Sequence, residues 1–460
     1  MIHQYFYNER YTILNTMLNK TDLHQYQKDL VIKARTIPHL GLFMEPGLGK
    51  TVTALTIIEE SPKGKTLIVA PKRVAESVWA QELQKWSHLK GMSHSKCMGS
   101  PMNRLEALSK QTDITIVNLE NLVWLLEQGY NFDYLIIDES SRFKDSSTKR
   151  FKALKRHLRG FSRRIILTGT PTPQGMGDLW SQVGILDLGQ RLETSLTKFR
   201  QKYMDPGQRN RHTGVVYNWV LKQTSSLLIQ QKINDICMSL KAKDYLQLPT
   251  LSNVYHKIDQ DKEFRTQYDT LKKTMVTEIE GQQITAPTAA TLANKLLQFT
   301  SGAVYTQTGK DEWQEIDNSK LEFLESILEE SNTPTLIFYH FKHTLQRLKA
   351  SFPHAVELSN DNMQAWRDGG IPVLLAHPQS GGIGINLQCN AGDSAQTIWF
   401  DLPWSSENYI QANARIYRQG QEKPVIIHHL IMKGTIDERV VDVLEGKINL
   451  QQALMEALKQ

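Results

Sequence analysis

Between an apolar run, HLGLFM at 39–44, and a helical run, TVTALTIIEE, the chain carries Met44-Glu45-Pro46-Gly47-Leu48-Gly49-Lys50-Thr51. Glycines at this spacing let successive backbone N–H groups converge on oxygen atoms. The N-terminus of the following helix adds positive potential. Lys50 can reach outer phosphates, and the Thr51 hydroxyl can ligate magnesium. Gly47, Leu48, Gly49, Lys50 and Thr51 are therefore expected to bind a nucleotide. The full phosphate-loop pattern has Gly at its first position, where this chain has Met44. The competing reading is a Gly-rich turn that happens to precede Lys-Thr.

A second chemical group is YLIIDES, which puts Asp138 and Glu139 at the end of an apolar strand. Unpaired charge is costly to bury, so carboxylates there need a partner or a task. Downstream of a phosphate loop, an Asp so placed can hold magnesium and a neighbouring Glu can orient and polarise water. A solvated acidic pair is the alternative. The third group is Gln411-Ala-Asn-Ala-Arg415-Ile-Tyr-Arg418-Gln-Gly-Gln421. Arg415 and Arg418 at i and i+3 are predicted to share a helical face, and permanently charged Arg suits a transferring phosphoryl group. They follow another Gly-rich loop, Ser380-Gly381-Gly382-Ile383-Gly384-Ile385-Asn386-Leu387.

These groups need a scaffold that presents strand ends. Short apolar runs at 39–44, 66–70, 114–118, 134–138 and 164–169 read as buried parallel strands, each followed by a loop and a helical pattern. That alternation predicts a doubly wound α/β domain with ligands at the carboxyl ends of its strands. From about 195 to 320 the pattern becomes polar and helical, clearest at 263–280 and 289–302. Strand alternation returns at 335–341, 373–378, 397–402 and 425–431. The expected organisation is a first α/β lobe over 1–245, with a helical insertion from about 195, and a second over 246–460, helical at 255–320.

Composition is that of an ordinary globular chain: 460 residues, 40% hydrophobic, 22% charged and a formal charge of +6. The total hides an asymmetry. Residues 1–245 hold 35 Lys+Arg against 22 Asp+Glu, and 246–460 hold 19 against 26. A balance of +13 beside −7 suggests a polyanion bound mainly by the first half. No apolar run approaches the roughly 20 residues that span a bilayer, so no membrane partner is expected. MIHQYFYNER lacks the apolar centre of a signal peptide. Cys97, Cys237 and Cys389 are too few and too scattered for a disulfide framework or zinc site. They read as small buried apolar residues in a reducing cytoplasm, bacterial or that of a phage-infected cell. His428-His429 reads as strand rather than metal site, Tyr5 to Tyr11 as N-terminal packing, and Trp404 as core or hinge packing.

Together these residues resemble the core of helicase superfamily two, specifically the SWI/SNF-related DNA-translocating ATPases, over nearly the whole chain and in motif order. His24-Gln25-Tyr26-Gln27 is similar to the upstream glutamine motif, which implies that Gln27 reads adenine. Glu45 to Thr51 resembles motif I. Ala70-Pro71-Lys72-Arg73, with Trp79 and Trp86 following, resembles motif Ia, and Asp138 to Lys144 resembles motif II. Leu167 to Pro171 resembles motif III, with Asp178-Leu179-Trp180 after it. Ser380 to Gln388 resembles motif V, and Phe400 to Trp404 with Gln411 to Gln421 the stretch through motif VI. The chain departs from the pattern at Ser141, where motif II usually has His, and at Gln174, where Asn usually follows motif III.

The resemblance implies a fold of two RecA-like lobes with parallel sheets and a mostly helical middle, with ATP and Mg2+ as cofactors. It implies catalytic roles for Lys50, Asp138, Glu139, Arg415 and Arg418, and metal ligation by Thr51 and Asp138. Gly384 is implied as a further nucleotide contact, and Thr168, Gly169, Thr170 and Gln411 as coupling residues. Expected nucleic-acid contacts are Lys72, Arg73, Arg142 and Lys144 in lobe one, and Lys342, Gly381 and Gly382 in lobe two. The 142–164 segment holds ten Lys+Arg and one acid, so it is either a phosphate-binding surface or a solvated helix face. A second basic cluster is Lys198, Arg200, Lys202, Arg209 and Arg211. The implied activity is ATP-driven translocation on DNA, duplex by resemblance, with RNA an open alternative, by a chain expected to be a monomer. The rivals are a strand-separating DNA or RNA helicase, and a nucleotide-regulated nucleic-acid clamp without motor activity.

Overall fold

The computed structural model describes residues 17–173, 175–207, 209, 216, 219–280, 286–306, 312–331, 333–359, 361–379 and 386–447, leaving the side chains of 275–280 and 286–289 aside. Two compact units divide the chain, Met1–Tyr245 and Leu246–Gln460.

The first unit is built on a seven-stranded sheet. Its strands are β1 (His39–Met44), β2 (Thr66–Ala70), β3 (His94–Cys97), β4 (Ile114–Asn118), β5 (Tyr134–Asp138), β6 (Arg163–Thr168) and β9 (Cys237–Leu240). They lie in the order β3-β4-β2-β5-β6-β1-β9, and every pairing is parallel. The central strands are buried along nearly their whole length because helices cover both faces, which is why they read as unbroken apolar runs. A small antiparallel hairpin, β7 (Met204–Pro206) with β8 (Trp219–Leu221), stands apart from this sheet.

The second unit holds a six-stranded parallel sheet. It comprises β10 (Leu251–Ile258), β13 (Thr335–Phe338), β14 (Val356–Glu357), β15 (Val373–Ala376), β16 (Ala395–Trp399) and β17 (Val425–Met432), in the order β10-β17-β16-β13-β15-β14. A two-stranded hairpin, β11 (Ala303–Tyr305) with β12 (Trp313–Glu315), accompanies it. Helices Lys262–Glu280 and Ala286–Thr300 lie between β10 and β11. A buried ion pair braces this unit: Lys320 Nζ lies 2.8 Å from Asp437, whose carboxylate also accepts from the Thr300 hydroxyl and the Met432 N–H. Those extra bonds offset the desolvation of the two charges.

Two parallel α/β sheets agree with the fold expected from the sequence. The mostly helical middle also holds strands: β9 and β10 fall inside it, and each closes an edge of a different main sheet. The first three residues of LSNVYHKI are exposed, so it lacks the apolar run that marks a central strand. β3, HSKC, escaped notice for the same reason. The three cysteines are buried and unpaired. His428 sits on β17, within hydrogen-bonding distance of His256 and Gln396, and Trp404 packs against the second core. No helix among the described residues is long and apolar enough to cross a membrane.

Candidate functional site

The phosphate-loop residues follow β1 directly, and the helix Lys50–Glu59 starts at Lys50. The loop turns because Gly47 and Gly49 both take positive φ, 89° and 70°, where a side chain is strained. At Gly49 an added Cβ would also run into the Gln27 side chain. Leu48 is fully buried, and its carbonyl accepts from the Tyr26 hydroxyl (3.2 Å) and Gln27 Nε2 (3.1 Å). The Gln27 Oε1 accepts from the His24 N–H at 2.8 Å. So Gln27, expected as an adenine reader, braces the loop backbone. Each end of its amide retains a second hydrogen-bonding position. On the other side, Glu45 donates its N–H to the Leu240 carbonyl and accepts from the Ala242 N–H through its carboxylate.

Three strand ends meet beside this loop. β5 pairs with β6 so that Asp138 faces Leu167, and β6 pairs with β1 so that Thr168 faces Phe43. The sequence signals at 44–51, 138–139 and 168–170 therefore come together at the carboxyl ends of adjacent strands. Lys50 Nζ donates to the Met44 carbonyl at 2.8 Å. The Asp138 carboxyl is buried and accepts from Trp79 Nε1 and from the Glu139 N–H, both at 3.1 Å. Burial pushes its pKa above the ordinary carboxylate range, against the field of the Lys50 ammonium and the Trp79 bond. Glu139 is a non-glycine residue at φ 53°, a strained conformation of the kind that concentrates at working sites. Gly169 lies so close to the phosphate loop that an added Cβ would stand 3.0 Å from Pro46 Cδ. The Thr168 hydroxyl accepts from the Thr170 N–H at 3.1 Å.

Two residues here were not singled out in the sequence as contacts within the site. Trp79 was noted only as a helix-borne tryptophan, and it binds Asp138 directly. Gln182 is fully buried on the helix Leu179–Asp187. Its Oε1 accepts from the Ser140 hydroxyl at 2.8 Å, and its Nε2 donates to the carbonyls of Pro171 (2.7 Å) and Asp178 (2.9 Å). The one signal available was a single amide among mostly apolar residues in DLWSQVGILDL.

In the second unit the arginine pair departs from the predicted geometry. The helix Ser406–Asn413 ends before Arg415, and the chain turns through Gly420 at φ 92°. The helical face predicted to carry both arginines does not form. Arg415 is buried and Arg418 half-buried. Backbone and side-chain bonds from 387–388 set this turn: Leu387 N–H donates to the Arg415 carbonyl, and Gln388 Nε2 to that of Arg418, both at 3.1 Å. Gln411 lies on the preceding helix with its Nε2 3.4 Å from Glu407 Oε1. Gly381, Gly382, Gly384, Gln174, Arg211 and Tyr5 to Tyr11 lie outside the described residues.

Among the expected nucleic-acid contacts, Lys72, Arg73, Arg142 and Lys342 are exposed and Lys144 is half-buried. The 142–164 segment is more divided than its composition suggests. Helix Lys149–His157 buries Phe151 and Leu154 and exposes Lys149, Lys152, Lys155 and Arg156. Arg164, by contrast, is buried and donates to the Leu158 (2.6 Å) and Leu186 (2.7 Å) carbonyls, and Arg163 donates to the Ala34 carbonyl. These two are structural cations. In the second cluster Arg200 stacks over Trp219 and Lys202 pairs with Glu193.

Comparison with known proteins gives the chain a family context. Residues 30–302 match the model of the SNF2-related domain. Protein p41 of Acyrthosiphon pisum secondary endosymbiont phage 1 is 33% identical over 462 residues, covering 95% of this chain and 98% of that protein. An uncharacterized ATP-dependent helicase of Mycoplasma genitalium is 26% identical, covering 95% of this chain and 42% of that protein. The chain thus spans almost all of the phage relative and under half of the mycoplasma one. A Sulfolobus solfataricus SWI2/SNF2 ATPase core solved with double-stranded DNA aligns over 97% of both chains at 21% identity, with a TM-score of 0.46.

Proposed function

We propose that this chain, which belongs to the SNF2-related family, hydrolyses ATP to ADP and phosphate and uses the energy to move along duplex DNA. The observation that carries the reading is the meeting of the phosphate loop, the Asp138–Glu139 turn and the Thr168–Thr170 loop at the ends of three adjacent strands.

The residues present suit a magnesium nucleotide. Two positive-φ glycines directly before a helix start are the backbone setting that phosphate oxygens need. A buried carboxyl lies within the field of the Lys50 ammonium, and a second carboxylate follows it in sequence. In this reading Gly47, Leu48, Gly49, Lys50 and Thr51 bind phosphates, and Gln27 offers its remaining hydrogen-bonding positions to the base. Thr51 and Asp138 hold magnesium, which supplies charge neutralisation at the phosphates when bound. Glu139 orients the attacking water and takes its proton at the carboxylate. Arg415 and Arg418 supply positive charge at the transferring phosphoryl group, which makes turnover conditional on the second unit. Gly384 is assigned to the nucleotide, and Thr168, Gly169, Thr170 and Gln411 to coupling.

DNA is assigned to Lys72, Arg73, Arg142, Lys144 and the exposed face of Lys149–His157 in the first unit, and to Lys342, Gly381 and Gly382 in the second. Phosphate contacts suit a motor that must pass any sequence. We place it in the cytoplasm of a bacterium or phage-infected cell, acting as a monomer.

The test is the ATPase rate with duplex DNA, single-stranded DNA, forks and RNA, run beside triplex displacement and duplex unwinding. Duplex-stimulated turnover that displaces a third strand without separating the duplex supports the reading. Strand separation would replace it with a helicase, RNA-selective stimulation with an RNA motor, and nucleic-acid binding without turnover with a clamp.

A further inference from the structure

Motif II in this chain departs from its family at Ser141, the place of a histidine that usually links the nucleotide carboxylates to the motif III loop. The buried amide of Gln182 bridges these same two segments. We propose that Gln182 is a positioning residue that joins the Asp138–Glu139 turn to the Thr168–Pro171 loop and to the start of the basic DNA-facing segment. The inference rests on the motor reading above.

The geometry is that of a bridge. One amide group accepts from the Ser140 hydroxyl and donates to the Pro171 and Asp178 carbonyls. Because its oxygen and nitrogen share one carbon, a displacement of the Ser140 hydroxyl is passed to the Pro171 carbonyl through one planar group. Ser140 follows Glu139, the residue held at φ 53°, so its hydroxyl anchors the backbone that aims the carboxylate. The neighbouring Ser181 hydroxyl donates to the Lys144 carbonyl at 2.7 Å. Two successive helix residues thus grip the chain on both sides of Arg142, an exposed cation assigned to DNA.

Packing alone does not call for an amide here. Gln182 is fully buried among apolar neighbours on its helix, including Leu179, Val183 and Leu186. An apolar side chain would fill the space without the desolvation cost of a primary amide. The cost is offset because all three bonds are made, and a satisfied buried polar group specifies one arrangement. The bridge therefore holds the two loops in register, and a shift of the 140–144 segment on DNA binding reaches motif III through it.

The test uses the full chain with Gln182→Met, which keeps side-chain length and removes the amide, with Ser140→Ala, and with the double variant. Turnover is measured with and without saturating duplex DNA, alongside nucleotide affinity and the DNA concentration for half-maximal stimulation. Gln182→Met is expected to lower the DNA stimulation factor about tenfold, with nucleotide affinity and half-maximal DNA concentration changed by about twofold at most. Ser140→Ala is expected to lower the same factor, and the double variant to lose no more than the larger single loss, because both cut one bridge. A stimulation factor within about twofold of wild type in Gln182→Met, or losses that multiply in the double variant, overturns the proposal. If Gln182→Met does not fold, Ser140→Ala decides alone, and unaltered stimulation in it overturns the bridge. A wild-type chain that DNA does not stimulate fails at the motor reading instead.

Discussion

Replacing Trp79 by Phe keeps a buried aromatic ring and deletes one donor, the Nε1–H that meets Asp138 Oδ2 at 3.1 Å. Trp79 is fully buried and Asp138 nearly so, so water does not take the vacated place cheaply. A hydrogen bond to a charged group contributes about 1.5–3 kcal/mol, and the smaller ring adds a cavity cost of about 1 kcal/mol. The expected loss of stability in the first unit is therefore about 2.5–4 kcal/mol. The cavity part is common to any Trp→Phe change, so the informative quantity is the coupling to Asp138. In an Asp138→Asn background the carboxylate is gone, and Trp79→Phe should cost about 1–2 kcal/mol less than in the wild type. Urea unfolding of the full chain reads this, with the first unit's transition identified by its shift on adding magnesium nucleotide. Additivity of the two substitutions within about 0.3 kcal/mol would show that the indole is only core volume, and would refute the claim that it holds the carboxyl.

Other expectations follow from the same geometry. Gly49→Ala forces a side chain into φ 70° and against Gln27, which should cost about 1–2 kcal/mol of stability and weaken nucleotide binding; unchanged affinity in a fluorescent-nucleotide titration would contradict the tight loop. Glu139→Gln should bind ATP and lose turnover, whereas Lys50→Ala should lose turnover altogether; a Glu139→Gln chain that turns over normally removes the base assignment. Arg418→Ala should raise the hydrolysis barrier by about 2 kcal/mol or more with little change in nucleotide affinity, as read by steady-state kinetics. In the second unit, burial and the neighbouring His256 hold the His428 pKa down to about 4, below the ordinary 6.5. The folded chain therefore binds fewer protons than the unfolded one, and stability is full above about pH 7. It falls as pH drops through 6.5 toward 4, by about 1–2 kcal/mol once solvent screening is discounted. His428→Gln should flatten that slope in urea titrations at several pH values.

Much of the fold was readable because central strands buried on both faces leave continuous apolar runs. HLGLFM, TLIVA, ITIVN and YLIID begin and end where their strands do. Edge strands leave no such trace: HSKC, CMSL and LSNVYHKI each keep polar or exposed positions, and their assignment depends on partners far away in sequence. The candidate site was legible wherever chemistry needs a residue type at a fixed spacing, as at Gly47 to Thr51 and Asp138-Glu139. What escaped was the support. Trp79 and Gln182 act through contacts across 59 and 42 positions of chain, which periodicity does not reveal. The arginine pair shows the opposite limit. Its i, i+3 spacing suited a helix, but bonds from Leu387 and Gln388 and the Gly420 turn draw the chain out of one.

The strand that carries the phosphate loop is bordered by β9, which pairs Gly41 with Cys237 and Met44 with Leu240. During synthesis, β1 leaves the ribosome long before that neighbour exists. At about 5–20 residues per second, the wait is on the order of 10–40 seconds. Until then one side of β1 presents unpaired backbone groups and an apolar surface, the state most open to wrong pairing between nascent chains. The second sheet repeats the situation, since β10 must await β17. The loop at 44–51 is thus finished at the end of making its own unit, when Glu45 gains Leu240 and Ala242. Chains cut short before residue 240 should accumulate as aggregates rather than as small nucleotide-binding proteins.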